Sequence, residues 1–193
     1  MKRFLANILV HNLRRKYEKI KDIQPENRVC MISRQGDTES VDFVMLREEL
    51  EKRGIPVDVL CRKLSFTPSY YYHVINQMKH IAKSKAVVLD SYCVPVSVLD
   101  HNDDINIVQI WHAVSAVKKF GKDTVGKGEG SSEDIATAMH MHENYSYIAA
   151  PSTATAVHLG LGFGYALESF VKLGLPRIDY ISQKDDAMAE KVK

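Results

Sequence analysis

The sequence has no run of the roughly 20 apolar residues that a membrane-spanning helix needs. Its start carries Lys2 and Arg3, but Asn7, His11 and Asn12 interrupt any apolar core, so no secretory signal is expected. Cysteine is scarce. Cys30, Cys61 and Cys93 are odd in number and have no CxxC spacing, which argues against a disulfide framework or a thiolate zinc site and for reduced, cytosolic thiols. Excess charge is lacking too: a net +2 gives no reason to expect a nucleic-acid partner. There is no internal repeat and no low-complexity tract, and neither a metal nor a cofactor is expected.

What the chain does have is an ordinary globular composition, 45% hydrophobic and 26% charged over 193 residues, enough for one substantial domain. Apolar runs at 28–33, 57–61, 86–89, 105–111, 145–149 and 170–173 read as strands, and 40–53, 68–83 and 152–161 as helices. Near-continuous apolar strands alternating with helices predict an α/β fold, a Rossmann-like doubly wound parallel sheet. Such sheets bind ligands beyond the carboxyl ends of their strands. Four segments fall at such ends: the turn 34–38, the turn 90–92, His112, and Pro151-Ser152. Arg34, Asp37, Asp90 and Ser152 are therefore candidate substrate contacts.

Residues 1–24 stand apart. Phe4, Leu5, Ile8, Leu9, Asn12 and Leu13 form a helical stripe, and over residues 1–21 Lys2, Arg3, Arg14, Arg15, Lys16, Lys19 and Lys21 outweigh the one acid, Glu18. Two readings are open: an amphipathic helix on an anionic membrane surface, or a helix packed on its own domain with a solvated basic face.

The most informative stretch is 109–123, QIWHAVSAVKKFGKD. An apolar run delivers His112 to its end, and Lys118 and Lys119 follow at helical spacing. A histidine takes a proton from a hydroxyl near neutral pH, and lysines hold phosphate as point charges. The plainer alternatives are a histidine bonded to backbone groups and lysines on a solvated helix face.

Gln109-Ile-Trp-His112 with Lys118-Lys119-Phe-Gly-Lys-Asp123 resembles the motif of CDP-glycerol glycerophosphotransferases, the teichoic acid primases and polymerases. Residues 173–181, LGLPRIDYI, are similar to that family's Gly-x-Pro-Arg-x-Asp segment, and 144–152, NYSYIAAPS, to its strand and Pro-Ser turn. The three matches occur in family order over the second half of the chain. One departure is Ala113, where the family usually has Gly.

The resemblance implies a two-domain, GT-B-type enzyme of which this chain is the N-terminal, acceptor-side half. Residues 25–182 would be the Rossmann-like domain and 183–193 the start of a linker, with the C-terminal donor domain absent. The implied reaction is transfer of glycerol phosphate, or a related polyol phosphate, from CDP-glycerol to a hydroxyl of a membrane-bound or lipid-linked acceptor, at the cytoplasmic face of the membrane. His112 would be the catalytic base. Lys118, Lys119 and Arg177 join the candidate substrate contacts, Arg177 with a role in interdomain geometry, or a pairing with Asp179, as alternatives. A non-catalytic polyol-phosphate or sugar-binding module, or a glycosyltransferase using a nucleotide-sugar donor, also fits the residues.

Several other patterns carry less. Residues 121–128 nearly spell a phosphate-binding loop, but Gly128 stands where a hydroxyl is needed, and a helix rather than a strand is expected before it. Gly160, Gly162 and Gly164 close a predicted helix and suit a C-terminal cap rather than a dinucleotide loop. His140 and His142 read as solvated, and Tyr70-Tyr71-Tyr72 as split between core and surface. His73, His80 and His101 have no evident partner in sequence.

Overall fold

The computed structural model describes residues 2–114, 118–128 and 130–182. The expected linker start, 183–193, lies outside them. The chain opens with α1 (Lys2–Tyr17), followed by β1 (Glu26–Ser33), α2 (Val41–Lys52), β2 (Val57–Cys61), α3 (Pro68–Lys83) and β3 (Ser84–Leu89). Then come α4 (Val94–Val98), β4 (Asn106–Gln109), α5 (Glu133–Ala138), β5 (Tyr147–Ala150), α6 (Thr153–Phe163), β6 (Phe170–Lys172) and α7 (Pro176–Ser182). The six strands form one sheet in the order β2-β1-β3-β4-β5-β6, every pair parallel. This is the expected α/β fold.

Strand side chains alternate between two apolar layers, as the period of two requires. Cys30, Ile32, Val87, Leu89, Ile107, Ile148 and Ala150 face the larger one, beneath α1, α3, α4 and α6. Val29, Met31 and Ala149 face the smaller one with Phe43 of α2. Local chemistry sets the helix starts. The side chains of Ser40, Thr67 and Ser152 accept from the backbone N–H groups of Phe43, Tyr70 and Thr155, satisfying donors that a helix leaves free. Gly164, at φ 77°, closes α6 in the left-handed conformation, the cap expected of that glycine run.

Two details differ from expectation. The buried stripe of α1 is Ala6, Val10, Leu13 and Tyr17, whereas Phe4, Leu5 and Ile8 are 67%, 60% and 42% exposed. Of the expected stripe, Leu13 is buried and Leu9 packs against the core, while its first members turn away because α5 and α4 take the small Ala6 face. And β4 stops at Gln109, not Trp111, because Trp111 adopts φ 61° and leaves the strand. No described helix is long and apolar enough to cross a membrane.

Candidate active site

The chain steps outward from β1 to β2, then crosses back past β1 to β3 and on to β4, β5 and β6, so the topological switch lies between β1 and β3. Ser33 ends β1, and Asp90 and Ser91 follow β3; all three are buried. The loop after β1 is stitched to them, since the Arg34 N–H donates to Ser91 Oγ (3.3 Å) and the Gln35 N–H to Ser33 Oγ (3.1 Å). The Arg34 guanidinium lies 5.0 Å from the centre of the Tyr92 ring, a cation–π arrangement.

His112 arrives from β4. Gln109, fully buried, makes the turn: its Nε2 donates to the Ser91 carbonyl (3.2 Å) and its Oε1 accepts from the Trp111 N–H (2.9 Å). That brace holds the left-handed Trp111, a conformation that costs a bulky residue energy. Ala113, the departure noted in the sequence, is not left-handed; Trp111 is. His112 Nδ1 lies 2.9 Å from the Asp90 carbonyl oxygen. A carbonyl only accepts, so Nδ1 carries the proton and Nε2 keeps the lone pair. The Gln35 amide nitrogen is also near Nδ1, at 3.5 Å.

The remaining candidates divide. Asp90 is 0% exposed, and burial raises its carboxyl above the usual range, while the Ser33 and Ser91 hydroxyls beside it, His112 and Arg177 hold the rise back. A sealed carboxyl cannot touch a substrate in this arrangement. Asp37 Oδ1 accepts from the Lys63 N–H (2.9 Å), joining two loops, and Ser152 caps α6. Arg177 reaches neither a substrate-facing position nor Asp179. Its Nε and Nη2 donate to Asp42 Oδ2, its backbone N–H to Asp42 Oδ1 (2.8 Å), and its Nη1 to the His112 carbonyl. Asp42, on the first turn of α2, is almost wholly buried. Lys118 and Lys119 are exposed, Lys119 Nζ standing 3.9 Å from Asp123 Oδ2. Residues 115–117 are outside those described, and 118–120 are not helical, so the expected helix before Gly121 is not seen at these residues. Phe120 stacks on Trp111 with ring centres 4.3 Å apart, which keeps the lysine pair near the end of β4.

Sequence reasoning missed three residues here. Gln109 and Asp42 looked like ordinary members of a strand and a helix. His142, expected in solvent, is buried against Tyr92, Phe120, Phe163 and Tyr145, with its Nδ1 2.9 Å from the Tyr145 hydroxyl. Desolvation, with help from Arg34 and Lys122, pushes its imidazole down to about 3, so it stays neutral. His140, by contrast, bonds Glu143 (2.8 Å) near the surface.

A parallel, doubly wound sheet with a histidine and buried polar groups beside the carboxyl ends of β1, β3 and β4 defines a Rossmann-type domain. Residues 16–193 match the family model of CDP-Glycerol:Poly(glycerophosphate) glycerophosphotransferase, and the chain belongs to that family. It is 28% identical over 192 residues to the teichoic acid ribitol-phosphate primase of Bacillus spizizenii, covering 96% of this chain and 49% of that protein. A 63-residue segment is 35% identical to the teichoic acid glycerol-phosphate primase of the same organism, covering 33% of this chain and 16% of that protein. The chain thus spans about half the length of the first of these relatives. The wall teichoic acid polymerase TagF superposes with a TM-score of 0.59 at 14% identity, over 99% of this chain and 51% of that one. A TagF variant soaked with CDPG gives 0.55 at 12% identity, over 99% and 53%. At such identities the likeness shows the shared fold.

Proposed function

We propose that this chain is the acceptor-side half of an enzyme that transfers glycerol phosphate, or a related polyol phosphate, from a CDP-linked donor to a hydroxyl of a membrane-bound teichoic acid or similar polymer. The observation that carries the reading is the His112 imidazole, held at a strand end by the Asp90 carbonyl with Nε2 free to accept a proton. The acceptor oxygen attacks the glycerol-bearing phosphorus, the bond to CMP breaks, and CMP leaves with the electron pair. The hydroxyl proton passes to His112 Nε2. Lys118, Lys119 and Arg34 supply positive charge near the phosphates, where electrostatic stabilisation contributes most. Residues 25–182 form the acceptor-side unit, and the donor contacts belong to a second domain. Full-length protein given CDP-glycerol and a teichoic acid primer should release CMP in step with polymer-bound glycerol phosphate, and the 193-residue chain alone should release none. CMP release by the chain alone would overturn the division of labour.

We also propose that α1 rests on an anionic membrane surface, which puts the protein at the cytoplasmic face beside a lipid-linked acceptor. Its exposed Phe4, Leu5 and Ile8 lie opposite the buried Ala6, Val10, Leu13 and Tyr17, and Arg15 shares a face with Phe4 and Ile8. One helix can therefore pack on the domain and still offer an apolar, basic side to lipid. The triple change Phe4→Ser, Leu5→Ser, Ile8→Ser spares the buried stripe. Wild type should float with phosphatidylglycerol vesicles at low salt, while the variant stays behind. Equal flotation would sink the idea.

A further inference from the structure

Both carboxylate oxygens of Asp90 are buried without a well-formed hydrogen bond, and the groups beside them are the Ser33 and Ser91 hydroxyls, neither of which brings a positive charge. Burying a carboxylate without a cation against it is costly, so such a group needs a reason to be there. The cationic groups placed to act on it are His112, once protonated, and Arg177. Arg177 already has its own buried counter-charge in Asp42, which it meets through two guanidinium nitrogens. The imidazolium form of His112 is thus the cation left to Asp90, and its ring is fixed to the backbone carbonyl of that same residue at 2.9 Å.

We infer that Asp90 is a positioning residue with two arms: its carbonyl sets the His112 tautomer, and its sealed carboxylate is the counter-charge awaiting the imidazolium that forms when His112 takes the acceptor proton. This rests on the reading of His112 as the base. Because the carboxylate is sealed from bulk solvent, its field on the imidazolium is weakly screened, so a charge that does little in the resting site acts as the proton arrives. The arrangement resembles in logic a carboxylate behind a catalytic histidine, except that the oriented hydrogen bond goes to the carbonyl of that residue and the carboxylate acts through space. The other titratable groups facing Asp90 are Cys61 and Cys93, whose thiols burial pushes up, so both stay neutral. They leave the pairing with His112 undisturbed.

The experiment has two arms. In the 193-residue chain, the ¹³Cγ titration of Asp90 is followed in wild type and in His112→Gln. Losing the imidazolium partner should move the Asp90 midpoint upward, by about one pH unit if the charges are within ~6 Å. In the full-length protein, Asp90→Asn keeps the shape and the carbonyl while removing the charge. The acid limb of its transfer-rate profile should move to lower pH by a comparable amount, because coupling is reciprocal, and turnover should fall at least tenfold. Circular dichroism should show the Asn variant as well folded as wild type, since a buried unpaired charge has been removed. An Asp90 midpoint indifferent to His112→Gln, or an acid limb unmoved in Asp90→Asn, overturns the inference. If instead His112→Ala retains transfer, it is the reading of His112 as base that fails, and the two outcomes are told apart.

Discussion

His112→Ala in the full-length protein should lower the rate of transfer by about 10²–10⁴-fold, the usual contribution of a positioned general base. The loss should fall on kcat, with the KM for the CDP-linked donor nearly unchanged. An acceptor hydroxyl is a poor nucleophile until its proton has somewhere to go, and Nε2 is the lone pair that the Asp90 carbonyl leaves free. Donor affinity should survive because His112 sits with the acceptor-side strands while the donor contacts are assigned to the second domain. The substitution should not unfold the chain, since His112 is only partly buried and gives up one ring hydrogen bond. The Trp111 turn depends on the Gln109 side chain rather than on the imidazole. Unchanged turnover would remove His112 from the chemistry, and an equal rise in KM with kcat intact would make it a binding residue instead.

The sheet was legible because its strands are apolar on both sides, so their alternation with helices left little choice of fold. Val57–Cys61 and Pro68–Lys83 were read to the residue, each bounded by strong turn or capping chemistry. The end of β4 was not, because Trp111 looks like a strand residue and only the side chain of Gln109, two positions back, turns it out. α1 was visible as a helix but its inner face was misjudged. Hydrophobicity favours Phe4 and Ile8, while close packing on α5 and α4 favours the narrow side at Ala6 and Val10. Local pattern cannot weigh shape against oiliness when a helix has apolar residues on both sides.

The site divides along the same line. Residues placed by the chain's own periodicity, His112, Arg34 and Asp90, could be named from the sequence, because parallel strands deliver their carboxyl ends to one edge. Roles that depend on a partner far along the chain could not. Asp42 meets Arg177 across a separation of 135 residues, and His142 owes its neutrality to rings from the segments around Tyr92, Phe120 and Phe163. Asp90 was placed correctly but read as a substrate contact, since sequence shows that a carboxylate lies at a strand end and not that the neighbouring loops seal it. Three of the expected substrate contacts, Asp37, Ser152 and Arg177, share a feature in the structure: each bonds a backbone group or a buried charge, so each also ties parts of the scaffold together.

Asp42→Ala should destabilise the chain by about 3–5 kcal/mol, the range for stranding one member of a buried ion pair. The Asp42 side chain is 2% exposed and that of Arg177 21%, so water reaches the guanidinium only in part and the carboxylate hardly at all. The alanine leaves the guanidinium and the Arg177 backbone N–H without acceptors and frees α7 from α2. The same loss slackens the grip of Arg177 on the His112 carbonyl, so part of the cost should appear at the active site. Urea unfolding of the 193-residue chain measures the first effect, through a lower midpoint at unchanged slope. The double variant Asp42→Leu with Arg177→Met then separates charge from packing. Removing both partners strands nothing, so it should regain most of the lost stability, yet it cannot restore the hold on His112. The paired result, a stable double variant whose full-length counterpart transfers slowly, would assign the ion pair to site geometry as well as to folding. A single Asp42→Ala change costing under about 1 kcal/mol would mean that the pair behaves as a surface salt bridge and that α7 is held by apolar contacts instead.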